Sequence, residues 1–198
     1  YGPVITNRDG HFSFRDAPGK RIRFLGPNLV GTANYLDKAL ADDFVTKATR
    51  LGYNTVRFHH FDNGLIDPNA SDSLTFDPKA LDQFDYLFAE LKKHGIYSCL
   101  DLYASRELKP GDNIKELEGR SSPEKFILKR LIPISESAMD NWKEFARRLL
   151  THRNPYTGLT YAEDPALYAL NLVNENPLVI TWQGWDPALI PLFEERYV

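Results

Sequence analysis

Ionisable and amide side chains gather at four places in the sequence, each at or just beyond the end of a short apolar run. Asn174, Glu175 and Asn176 follow Ala166–Val173. Arg57, His59, His60 and Asp62 end the run 54–58 or lie just past it. Asp101 and Tyr103 close 96–102, and Asn28, Asn34 and Tyr35 accompany 24–30. Carboxyl, imidazole and guanidinium groups are the groups of acid–base and electrostatic catalysis. His59, His60, Asp62, Asp101 and Glu175 are also metal-ligand types. Adjacent residues on a strand point to opposite faces, however, so His59 and His60 cannot easily share one ion. A metal-dependent hydrolase is therefore the weaker reading, and no metal or cofactor is expected. Trp182 and Trp185 lie just beyond Glu175, where they either stack on sugar rings or pack the loop they sit in.

The elements that must position these residues follow from periodicity. His11 to Phe14 and Arg21 to Leu25 read as the arms of a β-hairpin around turn chemistry at Asp16-Ala17-Pro18-Gly19. Strands are expected near 24–30, 54–59, 96–102 and 167–173. Helical spacing of apolar residues marks helices from about Asp37 to Leu51, through Leu81 to Leu91, and from Glu136 to His152, with Gly52 and Gly95 as stops. A last helix begins near Pro187. The loop from Ala104 to Pro133 is long enough to carry structure or function of its own. Strand and helix alternate four times, which implies a parallel sheet. Four such units fit half of an eight-stranded barrel or a small doubly wound sheet. No G-x-G-x-x-G or Walker sequence supports the second. In a barrel of this kind reactive residues sit at the carboxyl ends of strands, which is where the polar residues above fall.

The 198 residues, 42% hydrophobic and 26% charged, suit one soluble domain or part of a larger one. A net charge of −3 without a basic patch gives no reason to expect a nucleic-acid partner, and no apolar stretch approaches the length of a membrane helix. The single Cys99 excludes an internal disulfide.

The string Leu170-Asn171-Leu172-Val173-Asn174-Glu175-Asn176-Pro177 resembles the fourth strand of clan A glycoside hydrolases, family five (cellulase- and mannanase-like enzymes). Gly52-Tyr53-Asn54-Thr55-Val56-Arg57-Phe58 resembles that family's second strand, and Leu25-Gly26-Pro27-Asn28 followed by Gly31 resembles its first. The resemblance runs the length of the chain in the family's order. It implies an α/β fold in which residues 1–198 are the N-terminal half of one (β/α)₈ barrel, preceded by a β-hairpin. It further implies a retaining β-glycoside hydrolase of secreted or periplasmic location acting on a β-linked polysaccharide or oligosaccharide. Glu175 is then the acid/base, Asn174 bonds the sugar 2-hydroxyl, and Arg57 supports a nucleophile on the seventh strand, outside this chain. His59, His60, Tyr103, Asn28, Asn34, Tyr35, Trp182 and Trp185 are the implied substrate-binding residues. Tyr103 stands where the family often has a His. Such barrels run to about 250 residues or more, so the resemblance implies a complementary C-terminal half: a separate chain, a second copy or a continuation. The alternative is a carbohydrate-binding half-barrel that catalyses nothing alone.

Overall fold

The computed structural model describes residues 2–119, 126–176 and 187–197. Strands β1 (Val4–Thr6), β2 (Phe12–Phe14) and β3 (Ala17–Arg21) form an antiparallel sheet in that order. Strands β4 (Asn28–Val30), β5 (Thr55–His59), β6 (Tyr97–Asp101) and β7 (Leu167–Asn171) form a parallel sheet, also in sequence order. Helices α1 (Lys38–Arg50), α2 (Pro78–Lys93) and α4 (Glu136–Thr151) make the crossovers; short α3 (Ile127–Leu131) lies in the third loop, and α5 (Ile190–Tyr197) ends the chain. The fold is four consecutive βα units of a (β/α)₈ barrel.

Two details differ from the sequence reading. The hairpin is a three-stranded meander, and its turn is Arg15-Asp16, because Phe14 pairs directly with Ala17. Ala17, Pro18 and Gly19 therefore belong to a strand, at a sheet edge where a missing proline N–H costs little. The first barrel strand is shorter than expected. Pro27 has no N–H to give the ladder, although its carbonyl still accepts from the Arg57 N–H at 3.1 Å. The meander closes the amino ends of the barrel strands. Phe14 packs on Tyr97 at 5.5 Å between centroids, and the Tyr97 hydroxyl donates to the Gly2 carbonyl at 2.8 Å.

Caps set the helix starts. Asp37, Asp77 and Ser135 each accept from a backbone N–H three residues on, at Leu40, Ala80 and Ala138, and Pro78 occupies the first turn of α2. The left-handed φ of Gly52 and Gly95, 76° and 74°, ends α1 and α2 without the cost a Cβ would bring.

Period-two alternation sorts the strand residues. Val56 and Phe58 of β5, Leu29 of β4 and Leu100 of β6 are buried towards α1, α2 and α4, in one core with Val45, Phe84, Phe88, Phe145 and Leu149. The intervening residues share the opposite, barrel-facing side: Asn28 pairs with Arg57, Arg57 with Cys99, and Asp101 with Asn171. A second core holds Tyr103, Leu108, Ile127, Leu128, Leu131 and Ile132, so the third loop has an apolar interior of its own.

Candidate active site

Arg57 and Asp101 occupy the barrel-facing side at the carboxyl ends of β5 and β6. Arg57 Nε and Nη2 donate to the two carboxylate oxygens of Asp101 at 3.0 and 2.9 Å. The Asp101 side chain is fully buried, and His59 Nδ1 also bonds its Oδ2. Arg57 Nη2 donates once more, to Asn174 Oδ1 at 2.8 Å. One guanidinium thus joins three strands, and its charge is met by a carboxylate that cannot reach water.

Asn174 is held at two points. Its backbone N–H donates to the Tyr103 carbonyl at 2.8 Å, and its amide oxygen is taken by Arg57. That orientation leaves Nδ2 buried with no protein acceptor among the described residues. Glu175 follows with φ of 48°, left-handed and costly for a residue with a Cβ, on the order of 1–2 kcal/mol. Its side chain is exposed at the open end of the sheet. Arg57, Asn174 and Glu175 therefore lie at the same end of the barrel strands.

The other residues named from the sequence divide. His60, also left-handed at φ 51°, stacks edge-on to His59 at 4.0 Å, and burial together with its histidine neighbour lowers its pKa. Asn28 is exposed beside Arg57. Asn34, fully buried, donates to the Gly31 and His59 carbonyls at 2.9 and 3.0 Å, tying the first loop to β5. The Tyr35 hydroxyl donates to the Phe61 carbonyl. Tyr103 is wholly buried, with its hydroxyl on the Arg106 carbonyl at 3.2 Å; burial raises its pKa. The hydroxyls of Tyr35 and Tyr103 and the Nδ2 of Asn34 are thus spent on backbone, while Asn34 Oδ1 is buried with no partner among the described residues. Trp182 and Trp185 lie outside the described residues.

Asp62 is an anchor. Fully buried, it accepts from the N–H groups of Ala104, Ser105 and Arg106 at 2.8 to 3.0 Å, and from the Ser105 hydroxyl at 2.9 Å. It therefore fixes the start of the loop after β6. Arg106 beside it is buried over the Phe145 ring at 4.7 Å. Sequence reasoning missed two features. Asp101 is the hub of the polar cluster; its place at a strand end was visible, but not its three simultaneous contacts. Lys129, on α3, is almost buried among the site's charged groups; it sits in a stretch whose path no periodicity reveals. Among the described residues no three His, Cys, Asp or Glu side chains are grouped to hold a metal ion, and no helix is long and apolar enough to cross a membrane.

No protein-family model matches the chain. In sequence it is similar to rice mannan endo-1,4-β-mannosidase 3, with 26% identity over 182 residues, 87% of this chain and 39% of the rice protein. It is also similar to Arabidopsis thaliana mannan endo-1,4-β-mannosidase 5, with 23% identity over 145 residues, 69% of this chain and 32% of that protein. The chain spans between about a third and two fifths of the length of these curated relatives. In fold it matches a glycoside hydrolase family 5 mannosidase from Rhizomucor miehei, with a TM-score of 0.65 and 16% identity over 89% of this chain and 49% of that one. It also matches an endo-1,4-β-mannanase from Rhizomucor miehei, with a TM-score of 0.59 and 18% identity over 88% and 47%. The sequence relatives are mannosidases by name and the solved structures share the fold, which agrees with the resemblance to glycoside hydrolases read from the sequence.

Proposed function

We propose that residues 1–198 supply the first half of the catalytic barrel of a retaining β-glycoside hydrolase, with a β-1,4-linked mannan as substrate. The observation that carries this reading is the joint between Arg57, Asp101 and Asn174, with Glu175 next along the chain at the open end of the sheet. The proteins similar to this chain bear names directed at mannan, which favours mannan over cellulose.

Hydrolysis of a glycosidic bond needs a proton on the leaving oxygen and a stabilised oxocarbenium-like centre. Glu175 gives its proton to the glycosidic oxygen as the carbon–oxygen bond breaks. A carboxylate from the second half of the barrel, about 5 Å from Glu175, bonds the anomeric carbon. Glu175, now ionised, then takes a proton from water as the water oxygen displaces that carboxylate. The unpartnered Nδ2 of Asn174 donates to the sugar 2-hydroxyl, an interaction that strengthens towards the transition state. Arg57, fixed by Asp101, presents positive charge to the nucleophile and keeps it ionised. The rest of the barrel comes from a continuation of the polypeptide, a separate chain or a second copy.

The test is Glu175→Gln in the complete enzyme. Glycosylation of substrates with poor leaving groups should fall by a factor of about 10²–10⁴, while aryl glycosides with very good leaving groups are largely spared, since they need little protonation. Equal loss on both substrate types would remove the acid role from Glu175.

A further inference from the structure

Lys129 is 9% exposed. Its ammonium lies 5.2 Å above the Phe126 ring, and among the described residues no carboxylate or carbonyl is within bonding distance of it. Burial lowers its pKa, while Glu175, Asp62 and Asp101 act on its charge from the ends of β7, β5 and β6; its own charge in turn disfavours protonation of His60. The loop that carries α3 leaves β6 at the carboxyl end of the sheet, and its core includes Tyr103 and packs on Val173, which places Lys129 on the same side of the barrel as the site described above. A lysine whose stem is buried and whose ammonium is partly desolvated, with no hydrogen-bonded counter-charge, adds little to stability. The surrounding core of Ile127, Leu128 and Leu131 would take an apolar side chain in its place. The fold thus keeps a cation that its own packing does not require, on a helix pinned by the second core to the rim of the site.

We propose that Lys129 is a further substrate-binding residue of this site: its ammonium donates hydrogen bonds to hydroxyl oxygens of the sugar bound over the carboxyl ends of β5, β6 and β7. This rests on the glycosidase reading. Three N–H donors on a compact charge match the closely spaced acceptor oxygens of a pyranose. Occupancy by sugar supplies the partners that the protein withholds.

The experiment compares wild type, Lys129→Met and Lys129→Arg in the complete enzyme, with β-1,4-mannopentaose as the probe. KM, kcat and the thermal midpoint are measured for each. Lys129→Met is expected to raise KM about tenfold, change kcat by less than about threefold, and leave the midpoint equal or higher, because a partly desolvated charge without a hydrogen-bonded partner has been replaced by an apolar side chain of similar length. Lys129→Arg keeps the charge and recovers part of the KM. An unchanged KM in Lys129→Met, or a Lys129→Met protein that melts lower or fails to fold, overturns the assignment and makes Lys129 structural. Wild-type enzyme that cleaves neither mannopentaose nor β-mannan overturns the glycosidase reading and this inference together. Active wild type with an indifferent Lys129→Met overturns the inference alone.

Discussion

Asp101 is the anionic centre of the site. It is fully buried and answers Arg57 twice and His59 once. Asp101→Asn keeps the shape but leaves the guanidinium without its counter-charge. Breaking a buried pair from one side costs about 3–5 kcal/mol; Arg57 retains 32% side-chain exposure, so about 2–3 kcal/mol is expected here, seen as a lower urea midpoint. A change under about 0.5 kcal/mol would mean that the joint contributes only geometry. At this scale the sequence was legible in part. Asn174 and Glu175 announce themselves because they follow an apolar run, and Arg57 because it is a charged residue near the end of one. The roles of Asn34, Tyr35 and Tyr103 did not, because a strand-end amide or hydroxyl can face substrate or a neighbouring carbonyl, and only the path of the loops decides; here each bonds backbone.

At the scale of elements, periodicity located all four barrel strands and the three crossover helices to within a few residues, because each buries a face against the same core. The third loop resisted. Its short helix and second core depend on contacts between Tyr103, Leu108 and residues some twenty positions later, which no local pattern carries. Gly26 shows what seats the first strand. A Cβ there would fall inside the van der Waals surface of the Thr55 carbonyl, so the two strands approach this closely only at a glycine. Gly26→Ala should therefore destabilise the fold by about 3 kcal/mol or more, measured by denaturant unfolding. Gly10→Ala serves as a control: that glycine has open space around it, so only its left-handed φ of 74° is strained. Equal, small losses for the two would contradict the close approach.

For the whole molecule, four parallel strands leave the sheet open at β4 and β7. Leu25 and Val30 beside the first strand are 63% and 52% exposed, and Leu170 and Leu172 at the last are 40% and 57% exposed. Open edges with apolar side chains associate. Residues 1–198 expressed alone should therefore run above their 22.7 kDa in light scattering, and Leu170→Lys with Leu172→Lys should reduce that association. A monomer unfolding in one cooperative step would show that the edges need no partner. The expectation of a complementary half came from the count of βα units alone, whereas the identity of the proposed nucleophile has no signal in these residues. The most direct test of the account follows the first sugar released from β-1,4-mannan by the complete enzyme, using proton NMR of the anomeric signals. Retention through Glu175 and a second carboxylate predicts that the β-anomer appears first and mutarotates later. Initial release of the α-anomer, or no reducing ends at all, would contradict it.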